Sequence, residues 1–494
     1  MNAYLLFKDR VLQESSVDPQ LDNDLELGIL LAGMAAEDGY IRDTAMQVFS
    51  RENQCRCAGE ILYRQEILSD CIKNPRLVRS FYEKVSEALS KNRDTRLAIT
   101  HRKAKYMLDV ALKVMISMKE TLGDIRQMAV QMEAVVRSQG LKQLLTGLMA
   151  LFASDQLEEM ERLCHALSID RGITALARPG NSLRALEYHP IKTEEGSKKG
   201  LLKLFSRNKD SLEFDLDMND PDISPALSRL KDAMSENAAK VVVQARDELF
   251  AFLQELKREL SFYVGCLNLL DSLKQLKIPF CMPMAAEGTS DLFCTDLYNV
   301  SLSLYQGKPS VPSSVEHTDK MVMMITGSNQ GGKTTFLRSI GQALLMMNSG
   351  MYVAASDFAL SCGQIYTHFI REEDRKLKSG KLDEELIRMN EIVDRIRPGD
   401  HMLFNESFSA TNEEEGSGIA LEIVMALQEL GIHVYYVTHF YQLITLLSRD
   451  LPESVLYMNA AREEDGRRTY QIASGQPEVR GYGEDIYKEI FLLT

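Results

Sequence analysis

A glycine-rich segment from Gly327 to Thr334 reads GSNQGGKT and fits the pattern GxxxxGK[ST]. It follows the apolar run Met321 to Thr326 and precedes a helix-like stretch, Thr335 to Met347. In this pattern glycines let consecutive backbone N–H groups face one phosphate, the lysine reaches the terminal phosphates, and the hydroxyl binds Mg²⁺. A plain glycine-rich turn before a helix is the alternative. The predicted nucleotide-binding residues are Gly327, Ser328, Asn329, Gln330, Gly331, Gly332, Lys333, Thr334 and Thr335.

A second candidate segment, His401 to Glu406, looks like a buried strand that ends in two polar residues. Phosphate-loop ATPases place their Mg²⁺-organising and water-activating groups at such a strand end. We therefore predict that Glu406 is the general base and that Asn405 binds Mg²⁺ through a water molecule. An amide oxygen lacks the negative charge of the usual aspartate, so slow hydrolysis is expected.

A third apolar run, Ile432 to Thr438, ends in His439. A histidine at that position suits a sensor of the γ-phosphate, although a histidine at a strand end is by itself more often a capping or surface residue. Parallel α/β sheets bind their ligands at the carboxyl ends of strands. The order of the three segments therefore predicts one ATPase site in which Lys333, Glu406 and His439 are the catalytic residues.

These segments resemble the ATPase domain of the MutS family of DNA mismatch-repair proteins. GSNQGGKTT resembles the family's GPNMGGKST, LFNESFSATNEEEG its DE pair followed by GTSTxxDG or GTSTxxEG, VTHFYQL its THYxEL switch, and RGYG its late SYG-type element. Counted from Glu406 without a gap, Thr411 falls on the family's threonine, Asn412 on its signature serine, Glu415 on its acidic residue and Gly416 on its glycine. Asn405 and Asn412 depart from the family's pattern.

The resemblance implies an α/β P-loop ATPase domain of ABC type, preceded by a mostly α-helical lever or core domain. It also implies ATP and Mg²⁺ as cofactors, a homodimer in which the Asn412 segment closes over the partner's nucleotide, and DNA as a partner. Full mismatch-repair members begin with a mixed α/β domain that wedges a phenylalanine beside a mispaired base. This chain has too few residues ahead of its helices to hold that domain, so binding without mismatch specificity is expected.

The 494 residues suggest two or three domains with large cores. We predict an N-terminal tail over 1–20, a helical core and lever domain over 21–300, and an ATPase and dimerisation domain over 301–494. Apolar residues from Leu108 to Val136 form a heptad-like seam, and a second long helix is expected between Pro225 and Pro279. Residues 170–225 are turn-rich and charged, and the resemblance suggests a DNA clamp there.

A net charge of −14 makes the chain as a whole a poor sequence-independent DNA binder, so any DNA contact must be local. The eight cysteines are scattered without a CxxC pair, which suits a reducing cytoplasm, and neither a signal sequence nor a membrane span is visible. Two basic patches are candidates for DNA contact or are simply solvated faces: Lys91, Arg93, Arg96, Arg102, Lys103 and Lys105 in the first, and Lys198, Lys199, Lys203, Arg207 and Lys209 in the second.

The sequence thus favours an ATP-dependent DNA-binding protein in which ATP binding and hydrolysis in a dimer move levers on DNA. Two alternatives stay open. The acidic balance favours an ATP-switched protein-interaction module with no DNA role. Asn405 and Asn412 favour a nucleotide-binding scaffold that hydrolyses poorly.

Overall fold

A computed structural model describes residues 4–91, 104–168, 174–179, 186–191, 224–286, 292–316, 319–327, 330–371, 380–462 and 468–476. For 91, 105, 174–179, 186–191, 224–235, 237, 286, 461 and 462 it describes the backbone alone. Several predicted features lie outside the described residues. They are Ser328, Asn329, the RGYG element, the whole second basic patch, and the first patch apart from the backbone of Lys91 and Lys105.

The first part of the chain is mostly helical, as predicted. Its elements are α1 (Pro19–Leu25), α2 (Leu27–Ala35), α3 (Gly39–Val48), α4 (Ala58–Lys73), α5 (Pro75–Lys91), α6 (Ala104–Glu133), α7 (Gln139–Leu151), α8 (Ser154–Leu167), the antiparallel pair β1 (Thr174–Pro179) and β2 (Leu186–Ile191), and α9 (Ser224–Gln275). Within 170–225 only that strand pair and the start of α9 are described, so the clamp stays a prediction.

The two long helices predicted from the apolar repeat are present as α6 and α9. The predicted seam of α6 is buried, with Leu108, Met118 and Leu122 each 1% exposed. The 52-residue helix α9 likewise buries Leu253, Leu256 and Leu260 on one face. Apolar residues three and four positions apart lie on the same side of a helix, so the apolar residues of α6 and of α9 each form one row that is buried by neighbouring side chains.

The second part of the chain alternates strands and helices. Its elements are β3 (Met284–Ala286), β4 (Phe293–Leu297), α10 (Val300–Gln306), β5 (Ser313–Val315), β6 (Val322–Thr326), α11 (Lys333–Asn348), β7 (Asp357–Ser361), β8 (Ile365–Phe369), α12 (Lys381–Val393), β9 (His401–Asn405), α13 (Glu413–Glu429), β10 (His433–Val437), α14 (Tyr441–Asp450), β11 (Val455–Arg462) and β12 (Arg468–Ser474). The three predicted apolar runs are β6, β9 and β10.

A six-stranded sheet in the order β12-β11-β6-β10-β9-β8 positions the candidate site. All its pairings are parallel except that of β11 with β12. Every residue of β6, β8 and β10 is buried, as expected for parallel strands covered on both faces. Because β6, β9 and β10 are parallel, the residues that follow them lie at one edge of the sheet.

A second, four-stranded sheet has the order β3-β7-β4-β5 and mixes parallel and antiparallel pairings. The described part of the chain is therefore helical with mixed-sheet α/β structure. None of its helices combines the length and the apolar composition that crossing a membrane requires.

The described residues form two compact units, each assembled from separate stretches of the chain. One unit takes its residues from Glu83–Gln131 and Leu145–Glu255, and the other from Asn2–Tyr82, Met132–Leu144 and Leu256–Thr494. Within the segment expected as a tail, Leu5 and Leu6 are fully buried, and Tyr263 Oη donates a hydrogen bond of 2.7 Å to the Leu5 carbonyl. The unit that contains the six-stranded sheet therefore includes the first helices of the chain.

Candidate functional site

The glycine-rich segment connects β6 to α11 and has a left-handed backbone at both described ends. Gly327 has φ 112° and Gly332 has φ 92°, values that side-chain-bearing residues rarely adopt. A Cβ at Gly332 would lie 3.0 Å from the Tyr470 carbonyl oxygen, and one at Gly327 would lie 3.0 Å from the Ala460 nitrogen. Glycine is therefore favoured at both positions for two reasons: the backbone conformation of the loop, and the close approach of β11 to Gly327 and of β12 to Gly332.

Lys333 is the first residue of α11 and is buried, with 5% of its surface exposed. Its Nζ donates a hydrogen bond of 2.8 Å to the Gly327 carbonyl, so the side chain curls back along the loop. Burial lowers the pKa of Lys333, while the nearby Glu406 carboxylate acts in the opposite direction. A buried ammonium beside a glycine-rich loop at a helix N-terminus is suited to an anionic ligand.

Thr334 and Asn405, the two residues predicted to lie around Mg²⁺, are in direct contact. Thr334 Oγ1 donates a hydrogen bond of 2.9 Å to Asn405 Oδ1. Both are hard oxygen donors of the kind that Mg²⁺ prefers, and Mg²⁺ usually keeps several waters while binding one or two protein groups and substrate phosphates. Within the described chain no three His, Cys, Asp or Glu side chains are grouped to hold a metal. The pair therefore fits Mg²⁺ only together with nucleotide oxygens.

Glu406 and His439 lie at the ends of β9 and β10, with Glu406 Oε1 3.8 Å from His439 Nδ1. This separation is that of an ion pair and exceeds a good hydrogen bond. Contact with His439 lowers the pKa of Glu406, and contact with Glu406 raises the pKa of His439. Glu406 is therefore a carboxylate at neutral pH, as a general base must be. Lys333, Glu406 and His439 influence one another electrostatically, so the sheet brings the three predicted catalytic residues together.

Asn412 is the N-cap of α13, with its side-chain oxygen accepting a hydrogen bond of 3.0 Å from the Glu415 backbone N–H. Serine and asparagine are equally good at this position, so the departure from the family's serine retains the helix cap. A Cβ at Gly416 would lie 2.6 Å from the Phe408 carbonyl oxygen, so only glycine fits there. The contact of Asn412 with a partner's nucleotide stays a prediction, as does the placement of Thr335 beside the phosphates.

Two residues of β12 that the sequence patterns did not predict contact the glycine-rich loop. Arg468 donates a hydrogen bond of 2.8 Å to the Gln330 side-chain oxygen, and the Tyr470 carbonyl packs against Gly332. Gln330 itself has a left-handed backbone with φ 60°. No motif marks Arg468, because its proximity depends on β12 returning antiparallel beside β11. Only the sheet order could have identified it.

The arrangement is that of an α/β domain in which a glycine-rich loop joins a buried strand of a mostly parallel sheet to a helix. Sequence comparison agrees with this: residues 323–491 match the model of MutS domain V, and residues 57–276 match that of the MutS2 N-terminal domain. The chain belongs to the MutS family.

Individual relatives are distant and much longer than this chain. The DNA mismatch repair protein MutS of Streptococcus mutans is 24% identical over 331 residues, which are 60% of this chain and 39% of that protein. Endonuclease MutS2 of Thermus thermophilus is 29% identical over 137 residues, 26% of this chain and 18% of that protein. MutS protein homolog 4 of mouse is 28% identical over 171 residues, 33% of this chain and 18% of that protein. The chain thus matches well under half the length of these relatives.

Proposed function

We propose that this protein is an ATP-hydrolysing, DNA-binding member of the MutS family with an ABC-type phosphate-loop domain. The observation that carries the proposal is the grouping of Lys333, Thr334, Asn405, Glu406 and His439 at one edge of the six-stranded sheet. Phosphate binding, metal binding and water activation each find a suitable group there.

The reaction follows from the charges of these groups. The Lys333 ammonium and the loop amides neutralise the phosphates, and Glu406 takes a proton from a water molecule whose oxygen bonds to the γ-phosphorus. The bond from that phosphorus to the β,γ-bridging oxygen breaks, and ADP leaves with the electron pair. His439, held beside Glu406, senses the γ-phosphate. Mg²⁺, when bound at Thr334 and through water at Asn405, supplies positive charge to the phosphate oxygens.

Dimerisation and DNA binding complete the proposal. The segment Thr411 to Gly416 of one protomer closes over the partner's nucleotide, and this closure moves the long helices that grip DNA, so that nucleotide and DNA binding are reciprocally linked. Mismatched and matched duplexes are bound alike by these 494 residues. The name of the Streptococcus mutans relative, a DNA mismatch repair protein, supports DNA as the partner.

A comparison of two variants tests the ATPase directly. Lys333→Ala removes the buried cation, and we expect it to abolish ATP binding. Glu406→Gln preserves shape but cannot take a proton, so it should bind ATP like the parent and lose turnover. Fluorescent-nucleotide titration and single-turnover hydrolysis measure the two steps. Parental hydrolysis by Glu406→Gln would show that another group is the base.

Two other functions have specific support. The uncharged Asn405 favours a scaffold that binds nucleotide and hydrolyses it poorly, and the net charge of −14 favours a protein-interaction module. Retention on linear, mismatched and branched DNA at several salt concentrations, with and without ATP, separates these functions. An absence of DNA binding at low salt with ATP would favour the protein-interaction module.

A further inference from the structure

We infer that a buried group formed by His368, Ser407 and Tyr436 positions the general base Glu406. This inference rests on the proposed ATPase function and adds residues that do not touch the nucleotide. The segment 406–408 immediately follows β9, and its backbone is left-handed at Glu406, with φ 54°, and at Phe408, with φ 63°. Residues with side chains are rarely found in that conformation, so surrounding contacts must hold the segment in place.

Ser407, between the two left-handed residues, is the point at which the segment is held. Tyr436 Oη on β10 donates a hydrogen bond of 2.9 Å to the Ser407 carbonyl. Ser407 Oγ lies 2.8 Å from Nδ1 of His368, which belongs to β8. The carbonyl and the hydroxyl of one residue are therefore attached to two different strands of the sheet.

His368 is itself fixed in one orientation. Its Nε2 lies 2.9 Å from the Glu385 backbone carbonyl, which can only accept, so Nε2 carries the proton. The Ser407 hydroxyl donates to the backbone carbonyl of His368 and also lies against Nδ1 of the ring, so Ser407 contacts both the backbone and the side chain of His368. The ring stacks on that of Phe408 with centroids 5.2 Å apart. Burial lowers the pKa of His368 to about 4, with a further contribution from Arg388, so the imidazole is neutral.

The whole group is shielded from solvent. His368, Phe408 and Tyr436 are 0% exposed and Ser407 is 1% exposed. Glu406, by contrast, keeps 31% of its side chain exposed to solvent. Hydrogen bonds that water cannot replace thus fix the backbone on which the reactive carboxylate is carried. A displacement of a reacting group by about 1 Å is enough to slow catalysis greatly.

Two neighbouring tyrosines of β10 provide a matched test. Tyr436→Phe deletes only the hydroxyl that holds Ser407. Tyr435→Phe deletes a hydroxyl on the opposite face of the strand, where its partner is Nδ1 of His401 at 3.5 Å. Both tyrosines are buried, at 0% and 4% exposure. We expect single-turnover hydrolysis by the full chain to fall about tenfold in Tyr436→Phe, with ATP affinity unchanged, and to stay within about twofold of the parent in Tyr435→Phe.

A double variant shows whether the effect passes through Glu406. Glutamine cannot take the proton wherever it is placed, so adding Tyr436→Phe to Glu406→Gln should not lower the residual rate further. A structural defect elsewhere would lower it again. Ser407→Ala, which removes the hydroxyl bound to His368, should reproduce the result if Tyr436→Phe folds poorly.

Three results would overturn the inference. The first is an equal hydrolysis rate in Tyr436→Phe and Tyr435→Phe, and the second is a Tyr436→Phe variant that loses ATP affinity and keeps its hydrolysis rate. The third is a Tyr436→Phe change that slows hydrolysis as much in the Glu406→Gln background as in the parent. If the parent itself shows no Glu406-dependent hydrolysis, the proposed function fails and the inference fails with it. If the parent is active and Tyr436→Phe matches it, only the inference fails.

Discussion

Thr334 donates its hydroxyl hydrogen bond to Asn405 although β10 lies between β6 and β9 in the sheet. The start of α11 therefore reaches the end of a strand that is not the neighbour of β6.

In Asn405→Asp, a carboxylate would take the place of the amide oxygen beside Thr334. We expect the Mg²⁺ concentration for half-maximal hydrolysis to fall several-fold, because a carboxylate adds a negative charge next to the metal. A Mg²⁺ titration of steady-state hydrolysis measures this, and an unchanged or higher requirement would remove Asn405 from the metal's surroundings.

Arg468 should contribute to nucleotide affinity through Gln330. Arg468→Ala releases the side chain of a loop residue that has a left-handed backbone, and we expect ATP affinity to fall about fivefold, on the order of 1 kcal/mol. Gln330→Ala should have a similar effect, and the double variant should be little worse than either. Arg449→Ala is the control, since Arg449 is an exposed arginine of α14 paired with Asp450. Additive losses would mean that Arg468 acts independently of Gln330.

Asn412 should tolerate serine better than alanine. Asn412→Ser retains a side-chain oxygen for the Glu415 N–H, whereas Asn412→Ala loses the cap at a cost of about 1 kcal/mol in stability. In the Glu406→Gln background, sedimentation velocity should detect a dimer with ATP for the asparagine and serine forms and a weaker dimer for alanine. If the Glu406→Gln protein stays a monomer with and without ATP, the closure of Asn412 over a partner's nucleotide is wrong.

Two buried histidines should make the protein less stable in mild acid. His401 and His433 stack with ring centroids 4.8 Å apart, and burial lowers their pKa values to about 3 and about 4. The ordinary histidine pKa is 6.5, so below that pH the unfolded chain binds protons that the folded one does not. The free energy of unfolding therefore has its full value above pH 6.5 and falls as the pH drops towards 4. At pH 5 the contribution of His433 to this loss is about 2 kcal/mol.

Urea unfolding at pH 7 and pH 5 measures this loss. His433→Gln should be less stable than the parent at pH 7, because the bond to Ser361 changes, yet it should lose about 2 kcal/mol less between the two pH values. Equal losses in parent and variant would show that His433 is protonated in the folded protein.

DNA binding should depend on the second basic patch and not on mismatches. Reversing Lys198, Lys199 and Lys203 to glutamate should weaken binding to every duplex alike, with about one unit of log–log salt slope lost for each phosphate contact removed. Lys73, Lys142 and Lys308 are exposed lysines outside both patches and serve as a charge-matched control. A clear preference for mismatched over matched duplex would contradict the expected lack of discrimination.

The sequence predicted the parts of the site that depend on local patterns. The strands β6, β9 and β10 are continuous apolar runs, and the carboxyl ends of parallel strands meet at one edge, so Lys333, Glu406 and His439 could be expected together. The seam of α6 follows from the helical repeat in the same way.

Other parts of the site depend on which distant segments pack together. Arg468 lies 138 residues after Gln330, and Ser407 lies 39 residues after His368. Neither pair shares a spacing or a periodic pattern, and a lone histidine in an apolar strand has no distinguishing context. Tertiary packing alone brings these residues together, so sequence patterns could not reveal them.

The burial of Leu5 and Leu6 has a consequence for the synthesis of this protein. Both backbone amides donate to the carboxylate of Glu259, and Leu5 precedes that partner by 254 residues. At ordinary translation rates the first segment waits on the order of tens of seconds before its partner leaves the ribosome, with apolar side chains exposed to solvent during that time. The helices that begin the chain therefore cannot complete their core before synthesis has passed Glu259. A fragment cut between these helices and the sheet would leave both pieces with uncovered apolar surface.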